Sequence, residues 1–155
     1  MLKYCFFMLF FSLSASLAIA QTCGDSIPAS IPDDCLTDNG EDGISDIGTG
    51  LVWKKCVEGL SGFGCAAGAA GNHAWRDALA RTGVVDTSGD FTAYPDWRLP
   101  NIKELGAIVE RKCFDPAIDL TYFTSAPASY ILSCAASAGN PYSTWYVQFY
   151  HGIMD

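Results

Sequence analysis

The sequence predicts an α+β domain braced by disulfides, and three observations support this fold class. Asn101 and Glu104 stand at the spacing of a helix capping box, just before an apolar pattern of helical period. Residues 144–150 alternate between two faces, as a β-strand does. Cysteines are frequent in a short chain that begins like an exported protein. We therefore expect two helices, at about 73–82 and 101–112, with a small antiparallel sheet and long disulfide-braced loops.

Residues 1–20 have the composition of a cleaved signal peptide. Lys3 gives a positive start, the apolar run over 4–17 is short for a membrane span, and residues 18–20 form an A-x-A cleavage site. We expect the mature chain to begin at Gln21 and to keep no membrane anchor. The localisation predicted is export, to the periplasm, the cell surface or the extracellular medium.

Length and charge narrow the classes of function. Removing the signal leaves 155 − 20 = 135 residues, enough for one domain with a real core. Lys3 is lost with the signal, so the formal net charge becomes 8 − 17 = −9. This charge repels nucleic acids and anionic membranes, and neither is expected as a partner.

The cysteines favour disulfides over metal ligands. An exported chain meets an oxidising compartment, no Cys-x-x-Cys pair occurs, and only two histidines are available. We expect no metal and no cofactor. Of the seven cysteines, Cys5 is lost with the signal. The remaining six allow fifteen connectivities, and their spacing does not choose between them: Cys23, Cys35, Cys56, Cys65, Cys113 and Cys134.

Residues 21–37 form an extended leader, and the domain proper is expected over 38–155. Turn-forming Asn-Gly and Asp-Gly pairs precede two short predicted strands, at 44–47 and 51–54, and the second points Trp53 into the core. Asp38, Asp42 and Gly43 have part of the spacing of a calcium loop. Gly40 and Thr49 occupy positions where ligands are needed, so a hairpin turn is the better interpretation.

The middle of the chain carries a glycine-rich loop and the two helices. Cys56 and Cys65 bracket the loop, which a disulfide between them would close. The first helix should end at Gly83. Pro100 ends the extended segment before the second helix, and Trp97 and Arg98 are expected in the core, an indole beside a guanidinium that satisfies loop carbonyls.

Two strands are predicted towards the C-terminus, at 129–134 and 144–150, with a turn at 139–141. In the second strand one face should be buried and the other should present tyrosines. The buried set is Trp145, Val147 and Phe149, and the opposite set is Tyr146, Gln148 and Tyr150.

Four separated motifs carry a resemblance to a known family: Asp38-Asn39-Gly40 with Asp42-Gly43 and then Thr49-Gly50-Leu51-Val52-Trp53, a helix beginning near Trp75, Asp96-Trp97-Arg98-Leu99-Pro100-Asn101-Ile102-Lys103-Glu104-Leu105, and Trp145-Tyr146-Val147. Together they resemble the Lcl C-terminal domain family, named after the C-terminal domain of a bacterial collagen-like adhesin. The resemblance implies a C-type-lectin-like fold and export. In the named member it implies a trimeric adhesin that recognises sulfated glycosaminoglycans, a ligand that a charge of −9 disfavours here.

The same resemblance implies disulfides and an unusual C-terminus. The family's cysteines resemble Cys23, Cys56, Cys65 and Cys113, which implies a Cys23–Cys113 bridge and leaves Cys35 and Cys134 as a third pair. Family members continue into a further strand after the Trp-Tyr-Val motif. We therefore expect the final strand to be missing here, which leaves an open sheet edge. The chain is then either a truncated, marginally stable relative or one that completes its sheet with a strand from a partner or a second copy.

Three functions follow from these observations. A non-catalytic binding or adhesion module is favoured, with glycans as ligands and sugar-stacking tyrosines at Tyr142, Tyr146 and Tyr150. The alternative is a structural or assembly protein of the cell envelope, which contacts other envelope proteins or forms a homo-oligomer. The third is a cysteine-dependent enzyme similar to the formylglycine-generating enzymes, which would need two adjacent reactive thiols.

Overall fold

The computed structural model describes residues 21–40, 43–85, 94 and 97–155, so the predicted signal peptide and Asp42 lie outside the described residues. The described chain is α+β, in agreement with the predicted class. Its helices are α1 (Trp75–Val85) and α2 (Ile102–Ala107). Its strands are β1 (Thr22–Cys23), β2 (Leu36–Asp38), β3 (Ile44–Asp46), β4 (Leu51–Trp53), β5 (Leu60–Ser61), β6 (Ala67–Gly68), β7 (Cys113–Phe114), β8 (Tyr130–Ser137), β9 (Asn140–Gln148) and β10 (Ile153–Met154).

The strands form small antiparallel sheets. The two larger ones have three strands each, in the orders β2-β3-β4 and β10-β9-β8. Strands β1 and β7 pair with each other, as do β5 and β6. The two strands predicted at 44–47 and 51–54 are present as β3 and β4, where Ile44 lies opposite Trp53.

One apolar core joins the two larger sheets to α2. Ile44 of β3 and Val147 of β9 have no exposed surface, and Trp53 is only 9% exposed. Leu105 and Ile108 bring the buried side of α2 into the same cluster. The core is therefore assembled from segments far apart in sequence: α2 follows the first of these sheets along the chain and precedes the second.

The start of α2 is fixed by the predicted capping box. The Asn101 side chain accepts hydrogen bonds from the backbone N–H groups of Lys103 and Glu104, at 2.9 and 3.0 Å. The Glu104 carboxylate accepts from the Asn101 N–H at 2.8 Å. Both halves of the motif are formed, so this sequence prediction is confirmed.

Replacing Asn101 by alanine should lower the free energy of unfolding by about 1 kcal/mol, because two N–H groups lose their acceptor. Chemical denaturation measures the change. Asn101→Asp keeps an acceptor at the cap and should restore most of the loss, whereas an equal loss in both variants would contradict a capping role. Asn72→Ala, in an exposed loop, is the matched control.

The predicted extension of α2 to residue 112 is wrong, because the chain turns inward after Ala107. Glu110 is 3% exposed, and its carboxylate accepts hydrogen bonds from the N–H groups of Ser30, Ile31 and Lys112. Burial raises its pKa, but these backbone hydrogen bonds and the Lys112 charge lower it more, so the net pKa lies below the usual value. The buried carboxylate thus ties the leader to the segment after α2.

Helix α1 begins and ends later than predicted. It starts at Trp75 rather than His73 and continues past Gly83 to Val85. The Trp75 indole N–H donates to the Ser133 carbonyl at 3.1 Å, which anchors the first turn of α1 to β8. The prediction of the helix start used only the helical spacing of apolar residues. That spacing does not reveal a hydrogen bond to a distant strand, so the start was placed two residues too early.

A short closing strand pairs with the edge of β9 that was predicted to be open. In β10, Ile153 lies opposite Gln148 and Met154 opposite Val147. The backbones of Tyr146 and Asp155 exchange two hydrogen bonds, at 2.9 and 3.0 Å. The prediction of an open edge is therefore wrong from Tyr146 to Gln148.

Two disulfides brace the domain, as predicted. Cys23 pairs with Cys113 and Cys56 with Cys65. Cys35 and Cys134 carry free thiols, so the predicted third bridge is wrong. The reason is their placement: Cys35 leads into the β2-β3-β4 sheet, whereas Cys134 lies in β8, where its N–H donates to the Pro100 carbonyl.

Candidate functional site

The face of the β8–β9–β10 sheet opposite Val147 carries two rows of side chains. In one row Gln148 lies between Ile153 and Tyr130, and in the other Tyr146 lies between Asp155 and Leu132. Side chains directly opposite each other on antiparallel strands share a face and lie close enough to interact. We call these six side chains the tyrosine face: Tyr130, Leu132, Tyr146, Gln148, Ile153 and Asp155.

Two tyrosines form the centre of this face. Tyr130 and Tyr146 are diagonal neighbours, with ring centroids 5.2 Å apart and ring planes at 88°. This edge-to-face arrangement is one that aromatic pairs favour. Tyr130 is 58% exposed, and the Gln148 side-chain amide donates to its hydroxyl at 3.4 Å. The face therefore combines exposed aromatic surface with polar groups.

Asp155 adds a carboxylate beside Tyr146. Partial burial raises the pKa of the Tyr146 hydroxyl, and the negative charge of Asp155 and a hydrogen bond to it raise the pKa further. The hydroxyl donates its hydrogen to this carboxylate, and the remaining lone pairs of the carboxylate are acceptors on the same face.

The structure brings only one of the three predicted sugar-binding tyrosines onto this face. Tyr146 belongs to it, but Tyr150 lies beyond the end of β9, 39% exposed, with its ring edge-on to His151. The side chain of Tyr142 lies outside the part of the chain that the structure describes. Tyr130 was missed, because only the strand register places it beside Tyr146.

Trp145 was predicted in the core, and this is wrong: it is 42% exposed. The pairing of β8 with β9 shifts register between Leu132 and Ala136. At this bulge the Ser133 hydroxyl donates to the Trp145 carbonyl at 2.7 Å. A bulge breaks the strict alternation of faces, so Trp145 does not follow Val147 into the core.

Arg98 was also predicted in the core, but its side chain is 55% exposed. Its guanidinium donates to both Glu104 oxygens, at 2.8 and 2.9 Å, and this hydrogen bonding raises the pKa of Arg98. The carboxylate that completes the α2 cap therefore attracts Arg98 out of the core. Trp97 and Pro100 are partly buried.

A cleft of about 760 Å³ opens where β4, α1 and β8 meet, next to Tyr130. Several of the charged groups that line it pair with one another: Glu58 accepts from Arg81 at 2.7 Å and from Lys54 at 2.9 Å. Burial raises the pKa of Glu58, but these two cations lower it below its usual value. Among the described residues, the buried indole N–H of Trp53 has no acceptor.

Other chemistry is sparse in the described residues. Among them, no group of three or more His, Cys, Asp or Glu side chains could hold a metal ion. No helix of the described ranges is long and apolar enough to cross a membrane. Of the two free thiols, that of Cys35 lies just before β2, whereas that of Cys134 lies in β8.

Comparison with known proteins identifies the family to which the chain belongs. No curated protein and no protein of solved structure matches the chain significantly. The sequence profile of the Lcl C-terminal domain matches residues 42–155, which is well over half of the chain. The match includes both helices, both larger hairpins and every residue of the tyrosine face. This protein therefore belongs to the Lcl C-terminal domain family.

Proposed function

We propose that this chain is an exported, non-catalytic binding module of the adhesion class, whose tyrosine face binds carbohydrate. The Tyr130–Tyr146 pair beside Gln148 and Asp155 is the observation that carries the proposal. Sugar rings present apolar faces that stack on aromatic rings, and hydroxyls that need donors and acceptors. Membership of a non-catalytic, adhesin-associated family and the two disulfides support the class and the export.

The tyrosine face is a better candidate than the cleft beside it. In the cleft, Glu58 is already engaged by two cations and Arg98 is engaged by Glu104. A ligand there would have to compete with these ion pairs. On the tyrosine face the most exposed ring, that of Tyr130, has only the Gln148 amide as a polar partner among the described contacts.

A glycan array first identifies a ligand of the protein. Replacing Tyr146 by alanine should then weaken the binding of that glycan by roughly thirtyfold, or about 2 kcal/mol, because truncating a central aromatic contact has a cost of this size. Isothermal titration with the mature protein measures the change. The array is run at low and at physiological salt. A protein charge of −9 should repel sulfated glycans more strongly at low salt than at physiological salt, where the repulsion is screened.

Phe63→Ala is the matched control, since Phe63 is 92% exposed and lies in the disulfide loop rather than in the β8–β9–β10 sheet. It should leave the affinity unchanged. Equal losses in both variants would contradict a site at Tyr146. An array without any bound glycan would overturn the proposal in favour of the assembly role with envelope proteins or further copies of this chain, which sedimentation velocity tests.

A further inference from the structure

Tyr130 and Tyr146 form a right-angled aromatic corner rather than a flat platform. Their planes meet at 88° with centroids 5.2 Å apart, so part of each ring face borders the same space. Aromatic ring faces carry partial negative charge and attract cations that approach within about 6 Å. Two faces at right angles can act on one small cation together, which a parallel stack cannot.

A carboxylate stands beside this corner. Asp155 is exposed, and its backbone exchanges two hydrogen bonds with Tyr146, which places both side chains on the tyrosine face. Gln148 provides a polar side chain in the next row. Aromatic faces, one carboxylate and one amide are the groups that an ammonium ion would contact.

Asp155 is the one charged residue among the six of the tyrosine face. None of the six residues of the tyrosine face is a lysine or arginine, whereas Asp155 is negative. The mature chain as a whole would carry −9. Long-range attraction, cation–π contact and the carboxylate therefore all favour a positively charged group at the same place.

On the premise of the proposed function, we propose that the tyrosine face prefers saccharides with a protonated amine over the same saccharides in N-acetylated form. The ammonium group enters the corner between Tyr130 and Tyr146 and pairs with Asp155. The sugar ring that carries it lies against the exposed surface of Tyr130. An N-acetyl group removes the positive charge and loses both the cation–π attraction and the ion pair.

Glucosamine oligomers and N-acetylglucosamine oligomers of equal length are the matched probes. Titration of the mature protein at physiological salt, at a pH where the amine is charged, should give about tenfold tighter binding of the amine form. Asp155→Asn should reduce this preference to about threefold or less. Asp25→Asn, the same change of charge on an exposed leader residue, should keep it.

Each outcome separates the two proposals. A tenfold preference that Asp155→Asn and Tyr146→Ala both reduce, while Asp25→Asn does not, supports the amine site. Equal binding of the two oligomers overturns the amine preference but leaves carbohydrate binding intact. A preference that survives Asp155→Asn, or falls equally in Asp25→Asn, shows only general charge attraction and overturns the site. Binding of neither oligomer also overturns it, and the glycan array then decides the proposed function.

Discussion

Serine at both Cys23 and Cys113 should lower the free energy of unfolding by about 4–5 kcal/mol. The bridge joins residues separated by 90 positions, so its loss frees a long loop in the unfolded chain. It also releases the pairing of β1 with β7, through which the leader meets the domain. Because a small domain is stable by only about 5–15 kcal/mol, this loss would remove a large part of its free energy of unfolding.

The second bridge is the internal control for this experiment. Cys56 and Cys65 are only nine positions apart, and serine at both should cost about 2–3 kcal/mol. Denaturant titration of the oxidised mature protein measures both changes. Equal losses for the two pairs would show that loop length does not set the contribution, and a smaller loss at Cys23 and Cys113 would contradict the role of that bridge as the main brace.

Local signals in the sequence predicted local structure well. The spacing of Asn101 and Glu104 identified the start of α2, because a capping box is completed within four residues. The two short strands β3 and β4 and the short bridge across the glycine-rich loop were predicted for the same reason. In each case the partners are neighbours in the chain.

Structure set by distant partners was not predictable in the same way. Glu110 reads as a polar residue on an exposed helix face, yet it is buried because it accepts N–H groups of a leader 80 positions away. Trp145 follows the strand alternation in sequence, but a bulge across from it decides its exposure. Neither the leader's path nor the bulge leaves a periodic signal.

The candidate site shows the same division. Tyr146 was identifiable from the alternation within its own strand, whereas Tyr130 and Asp155 join it only through the registers of β8 and of β10. A two-residue strand such as β10 is too short to show a pattern of its own. The corner that carries the amine proposal is therefore a product of sheet register.

Replacing Glu110 by glutamine should lower the free energy of unfolding by about 2–3 kcal/mol near neutral pH. Both carboxylate oxygens accept backbone N–H groups: one from Ser30 and Lys112, the other from Ser30 and Ile31. Whichever way the glutamine amide turns, its NH₂ group therefore faces a backbone donor. Asp119→Asn is the matched control, because among the described contacts one Asp119 oxygen accepts, from the Thr121 N–H, and the amide can orient to keep that bond.

The pH dependence distinguishes this account from a packing defect. The pKa of Glu110 is lower in the folded than in the unfolded chain, so its contribution is complete above the unfolded value of about 4.3 and is lost as the pH falls through the folded value. Denaturant titrations should show the Glu110→Gln deficit constant above about pH 5.5 and shrinking on acidification below it. A loss of unfolding free energy that stays the same at every pH would indicate that the packing of the Glu110 side chain, and not its negative charge, stabilises the contact between the leader and the segment after α2.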